Sequence, residues 1–148
     1  MKTQTDNSDK DQNATCDNAV LSSRLFRGFS IKHNNWIYGD LIHTPEKRMR
    51  IINYTDISSD GVDNFITINE IVESNSVGQC TGVFDRNADD IYEGDIYTMG
   101  DKNIKYKVVW HDSGFIGKQL GSSSYAGLEH WREQIKIIGN VYQNPELL

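Results

Sequence analysis

Apolar and polar residues alternate along much of this chain with a period of two, the pattern of strands whose opposite faces meet different surroundings. Leu25 to Ile31 alternates unevenly, His33-Asn34-Asn35 interrupts, and Trp36-Ile37-Tyr38-Gly39-Asp40-Leu41-Ile42 resumes, which predicts a first hairpin. Strict alternation cannot put Trp36, Tyr38 and Leu41 on one face, so Gly39-Asp40 is expected to carry a bulge that resets it. Thr44-Pro45-Glu46 then turns the chain into Arg48 to Tyr54, with Met49 and Ile51 on one face and the arginines on the other. Ser58-Ser59-Asp60-Gly61 is turn chemistry, and Asn64 to Ile68 is a further strand. Ile68 to Val72 fits an extension of that strand and a helical turn equally well.

Residues 76 to 97 are the densest stretch. Gly78 and Gly82 bracket a short segment, Asp85 to Asp90 is a polar turn, and Ile91-Tyr92-Glu93-Gly94-Asp95-Ile96-Tyr97 re-enters a sheet through a Gly-Asp pair. Beyond it Asn103 to Trp110 alternates cleanly, with Ile104, Tyr106 and Val108 on one face and Lys105, Lys107 and Val109 on the other. His111-Asp112-Ser113-Gly114 turns this strand into Phe115 to Leu120, and Gly121-Ser122-Ser123-Ser124 predicts a flexible loop. Leu128, Trp131 and Arg132 have helical spacing, so Tyr125 to Gln134 is expected to hold one short helix. Gln134 to Tyr142 returns to strand character until Asn144-Pro145 halts it.

These elements predict a mainly β protein. Tyr38-Gly39-Asp40-Leu41 and Tyr92-Glu93-Gly94-Asp95-Ile96 repeat a Gly-Asp-apolar entry into a strand, which is common at the diverging turn of SH3-like barrels. By that analogy, about residues 76–148 form a small curved SH3-like barrel, and 24–75 add amino-terminal strands, within one domain over 24–148. Residues 1–23 are polar and carry almost nothing apolar before Val20-Leu21, so a disordered tail is expected.

A chain of 148 residues with 37% hydrophobic content supports one principal core. It has no apolar run long enough to span a membrane, and its first residues lack a signal peptide's apolar stretch, so a cytoplasmic location is expected. Cys16 and Cys80 have neither metal-ligand spacing nor reason to pair in a reducing compartment, and both are expected to be free thiols. The net charge of −6 is uneven: residues 1–23 carry −2, residues 24–50 carry +4 and residues 51–148 carry −8. The positive stretch is the local exception that phosphate, or the acidic part of a second subunit, would find.

Three ordered runs carry a family resemblance. Trp36-Ile37-Tyr38-Gly39-Asp40-Leu41, then Val77-Gly78-Gln79-Cys80-Thr81-Gly82 with Asp85-Arg86-Asn87 and Ile91-Tyr92-Glu93-Gly94-Asp95-Ile96, then Ile138-Gly139-Asn140-Val141-Tyr142-Gln143-Asn144-Pro145-Glu146-Leu147-Leu148, resemble the signature of the YopX family of phage and prophage proteins. The resemblance covers about residues 24–148 and implies a phage or prophage setting without an activity. Cys80 stands where an aromatic is usual and Ala88 where a turn glycine is usual, which predicts a wider loop there.

Candidate chemistry is sparse. Asp85-Arg86-Asn87-Ala88-Asp89 places oxygens as a calcium loop does, but Asp90 stands where the turn needs glycine and Ile96 where a bidentate glutamate is needed. His33, His43, His111 and His130 are scattered, without zinc spacing. No nucleophile, phosphate-loop or dinucleotide motif is present, so no catalytic residue, cofactor or metal ligand is assigned. The leading expectation is a non-enzymatic interaction module that self-associates through open strand edges. The alternative is a nucleic-acid accessory protein using Arg24, Arg27, Lys32, Arg48 and Arg50, with Lys47, beside Trp36 and Tyr38. A third is a metal-dependent hydrolase built from Asp85, Asp89, Glu93, Asp95, His111 and Asp112.

Gly78, Gly82, Tyr92, Gly94, Asp95, Gly139, Asn140 and Pro145 are read as structural. Gly94-Asp95 is expected to aim Ile91 and Ile96 into the core, so Gly94→Val should cost a few kcal/mol and Asp95→Asn much less.

Overall fold

A computed structural model of the chain describes residues 25–56 and 65–148. The tail, Cys16, Arg24, the turn at Ser58 to Gly61 and Asn64 lie outside the described residues. The described part is mainly β, as the alternation requires, with strands β1 (Phe26–Ser30), β2 (Asn35–His43), β3 (Met49–Asp56), β4 (Phe65–Val72), β5 (Gly78–Phe84) and β6 (Asp90–Tyr92). They are followed by β7 (Asp95–Met99), β8 (Asp101–His111), β9 (Gly114–Gln119), β10 (Tyr125–Gly127), the single-turn helix α1 (Leu128–Trp131) and β11 (Ile135–Asn140). Tyr125 to Gly127 is a strand paired with β9, so the helix is shorter than its spacing suggested.

Two antiparallel sheets result, a six-stranded one in the order β4-β3-β2-β1-β5-β6 and a five-stranded one in the order β10-β9-β8-β7-β11. The first takes strands from both sides of residue 76. Among the described residues no strand ladder closes either sheet into a barrel. The first sheet nevertheless curls until the end of β4 returns to β1: the Glu73 amide donates to the Phe29 carbonyl at 3.0 Å, and a Cβ on Gly28 would sit 2.6 Å from Val72 Cγ2. Glycine is what permits that approach.

The described residues form two apolar clusters, where composition suggested one core. Ile37, Ile51 and Val72 centre the first, with Phe26, Leu41, Met49, Ile68 and Val77 packed on them. Ile91, Tyr97, Val108, Leu128 and Ile135 centre the second, so that β6 of the first sheet contributes Ile91 to it and Val83 of β5 packs against it. Full burial of an isoleucine stabilises by about 1.5–3 kcal/mol, so these few positions dominate both cores.

The alternation through β2 is continuous. Ile37 and Leu41 pack in the first core, and no bulge occurs at Gly39-Asp40. Gly39 instead marks a change of partner: residues 35–39 pair with β1, and Asp40 to His43 pair with β3. A Cβ there would lie 2.1 Å from the Ile52 carbonyl oxygen. Trp36 and Tyr38 therefore stay together on the face opposite Ile37, and that face meets the second sheet.

Candidate functional site at the seam between the sheets

Register alone sets up the seam. Arg27 lies opposite Tyr38 and Phe29 opposite Trp36, so one face of the β1–β2 hairpin presents a cation among three rings. The β6–β7 corner approaches this face. Gly94 makes the corner at φ +85°, and its amide donates to the Val108 carbonyl at 3.0 Å while its carbonyl accepts from the Val141 amide at 2.9 Å. Ile91 and Ile96, on either side, are fully buried.

Asp95, 1% exposed, occupies the junction. Its Oδ2 accepts the Tyr92 amide at 2.8 Å, closing the corner, and its Oδ1 accepts from Arg27 Nη2, joining residues 68 apart in sequence. The guanidinium carbon sits 4.7 Å from the centre of the Trp36 ring and 4.8 Å from that of Tyr92, two cation–π contacts. Arg27 Nε is buried without a hydrogen-bond partner. Burial pushes the Asp95 carboxyl above its usual range, against the opposing pull of the Arg27 charge and the Tyr92 amide.

The carboxy-terminal turn completes the wall. Asn140, opposite Asp95 in the β7–β11 register, accepts the amides of Tyr142 and Gln143 on Oδ1 at 3.1 and 2.9 Å. This Asx-type turn swings Tyr142 to 5.3 Å from Phe29 and 6.0 Å from Trp36, and Gln143 Oε1 accepts the Trp36 indole at 3.0 Å. At Gly139 a Cβ would meet Asn144 Oδ1 at 2.4 Å, and Pro145 opens the closing 3-10 turn.

Chemically this is a clamp. Both Asp95 oxygens are engaged and both side chains are largely buried, at the wall of a pocket of about 480 Å³ that Tyr38, Asp89, Asp90 and Tyr92 also line. Asp85 is similarly committed: Oδ1 accepts the amides of Asn87 and Asp89 at 2.7 and 3.1 Å, and Oδ2 accepts that of Ile137 at 3.2 Å. It shapes its own loop and pins it to β11, with Ala88 taking the left-handed conformation at φ +65°. His111 and Asp112 lie at the exposed β8–β9 turn, 3.4 Å apart. Among the described residues no three histidine, cysteine or acidic side chains are grouped to hold a metal ion.

The remaining predicted positions disperse. Arg27 belongs to the seam and not to an exposed cationic face, because its side chain is only 11% exposed. Lys32 lies 3.8 Å from Glu70, and Arg50 donates to the Asn69 side chain at 2.9 Å. Arg48 is exposed near the β2–β3 turn. Gly78 lets β5 pass the Glu93 carbonyl, which a Cβ would approach to 2.4 Å, and Gly82 takes φ +77°. Phe29, Tyr142 and Gln143 were missed as seam residues. Period two already put Phe29 beside Arg27, but only the tertiary fold brings Tyr142 and Gln143 to them.

No curated protein matches the chain. The fold is shared with the crystal structure of protein EF1440 from Enterococcus faecalis, at 19% identity and a TM-score of 0.51 over 83% of this chain and 96% of that one. The family model described as YopX protein matches residues 25–148, which takes in both sheets and every element of the seam, and the chain therefore belongs to the YopX family.

Proposed function

We propose that this protein is a non-enzymatic interaction module of phage or prophage origin, acting in the cytoplasm, which engages a protein partner through the aromatic end of its five-stranded sheet. The carrying observation is the exposure of Trp110 and Tyr125, at 55% and 46%, near the β8–β9 turn, with Trp131 of α1 a further exposed ring at 36%. Trp110 packs edge-on against Phe115 at 5.0 Å and Tyr125 stacks on His111 at 4.7 Å, so these rings are held in place before any partner arrives. Rigid exposed aromatics are the side chains that concentrate binding energy at protein interfaces. Of the carboxylates a hydrolase would draw on, Asp85 and Asp95 are engaged in the fold, which supports a binding role for this protein.

Strand-edge pairing is disfavoured at one sheet edge, that of β11. Ile135 accepts the Arg86 amide at 3.0 Å and Ile137 donates to Asp85, which covers the outer edge of β11. The test is capture from prophage-induced cells by the wild-type chain and by Trp110→Ser with Tyr125→Ser. Loss of a discrete partner from the variant, with unchanged thermal unfolding, supports the proposal; identical capture by both overturns it. Light scattering separates out self-association, and a strict monomer at high concentration removes a second copy as the partner.

A further inference from the structure

Away from the seam and the aromatic end, the outer side of the β7–β11 pair carries a pocket of about 480 Å³ lined by Arg86, Thr98, Gly100, Lys102, Lys136 and Ile138. The fold assembles it from three separate segments. Lys136 stands directly opposite Thr98 in the β7–β11 register. The Arg86 amide donates to the Ile135 carbonyl, which ties its loop to the neighbouring residue of β11. Gly100, at φ +81°, turns β7 into β8 and brings Lys102 to the rim.

The charge distribution makes the pocket unusual for this chain. No acidic residue lines it, although the protein as a whole carries −6. Arg27, Lys32 and Arg132 each have a carboxylate within ion-pair distance, whereas among the described residues Arg86, Lys102 and Lys136 have none. Asp101, the adjacent acid in sequence, accepts the Asn103 amide at 2.8 Å. Three like charges held around one concavity repel one another, and an anion seated among them reverses that term.

We propose that this pocket binds the phosphate groups of a nucleotide or of a nucleic-acid chain. Arg86 supplies a planar fork for phosphate oxygens, Lys102 and Lys136 supply point charges, and Thr98 supplies a hydroxyl. Ile138, 38% exposed, offers an apolar contact for a sugar or base. The volume exceeds a lone phosphate and falls in the range of small-molecule sites, about 300–1,000 Å³. These residues are distinct from the basic stretch before residue 51 and from the aromatic end, so this site and the protein-binding surface stand or fall separately.

The test is calorimetric titration of the full chain with metal-free ATP, with a thymidine dodecamer and with inorganic phosphate, at about 50 and 200 mM salt. Binding of ATP or the dodecamer should weaken with salt. Arg86→Gln and Lys136→Gln should each weaken it about tenfold, the loss expected for a charge-assisted contact. Lys47→Gln, on the other sheet, should leave it unchanged, and all three variants should keep the wild-type unfolding temperature. ATP that competes away the dodecamer identifies a nucleotide, and a dodecamer that binds where ATP does not identifies a nucleic-acid chain. No binding of either at low salt, or equal binding by wild type and the pocket variants, overturns the proposal.

Discussion

Replacing Asp95 by asparagine tests the clamp. The substitution keeps an acceptor for the Tyr92 amide and nearly the same volume, but it leaves the Arg27 charge beside two rings with no carboxylate. Removing one partner of a buried ion pair costs about 3–5 kcal/mol, because the other charge stays desolvated. Part of that is returned, since burial alone already disfavours the Asp95 charge. We therefore expect Asp95→Asn to lose about 2–4 kcal/mol, or about 6–12 °C at roughly 3 °C per kcal/mol for a chain of this size. Gly94→Val should lose a similar amount, about 2–3 kcal/mol, from left-handed backbone and from a Cβ placed 3.2 Å from Val141 Cγ2. The sequence alone ranked the aspartate change far below the glycine change; the buried arginine makes them comparable.

Urea unfolding of wild type, Asp95→Asn, Arg27→Met and the double variant supplies the assay. The double variant has no orphaned charge, so the two losses should fail to add by about 1–3 kcal/mol. A loss below about 1 kcal/mol for Asp95→Asn, or strict additivity, would refute the clamp. Unchanged stability with loss of a partner would assign the carboxylate to binding instead.

Because the folded Asp95 pKa is raised, its contribution to stability is present below the unfolded carboxyl value of about 3.9 and is lost as pH rises through the folded value; Asp95→Asn should remove that part of the slope, and parallel urea midpoints across pH would contradict it. Gly117→Ala would put a Cβ 1.7 Å from Tyr97 Oη and should cost more than about 3 kcal/mol or prevent folding, as judged by thermal melts. Tyr97→Phe, which deletes a buried hydroxyl lacking a partner, should be close to neutral and should recover part of the Gly117→Ala loss; an equal loss in both backgrounds counts against the contact. Ala88→Gly should stabilise by about 0.5–1 kcal/mol by relieving its left-handed φ, and a lower melting temperature would contradict this.

Local chemistry made the strands legible, and tertiary packing limited the rest. Asn103 to Trp110 alternated cleanly because one face of β8 lines a core, and Tyr106 and Val108 do pack there. Ile68 to Val72 was undecided because a short apolar run fits either period; five cross-strand partners in β3 settle it as strand. Tyr125 to Gly127 was hidden for the opposite reason, since three residues are too few to show a period. The Gly39 reading failed because a change of partner strand also calls for glycine, without any break in alternation. Arg27 looked like a surface cation because arginine usually is one; its partner lies in a strand that no local pattern connects to β1.

The three motif runs meet at one place. Trp36 and Tyr38 come from the first, Tyr92, Gly94 and Asp95 from the second, and Asn140, Tyr142 and Gln143 from the third, and together they surround Arg27. Val83 and Ile91 of the first sheet already join the second core, but a junction between sheets has to be specified more tightly than apolar contact specifies it. An ion pair with stacked rings and an Asx-type turn does this, because each group accepts partners only in certain directions. The most recognisable residues therefore report how the sheets dock, and most of them are covered by that docking. The two proposed recognition sites, the aromatic end around Trp110 and the cationic pocket around Lys136, lie away from that docking. Trp110 and Lys136 lie outside the motif runs, and Arg86 and Ile138 of the pocket lie within them without any local pattern that marks a site, so the runs identify the family and not a function.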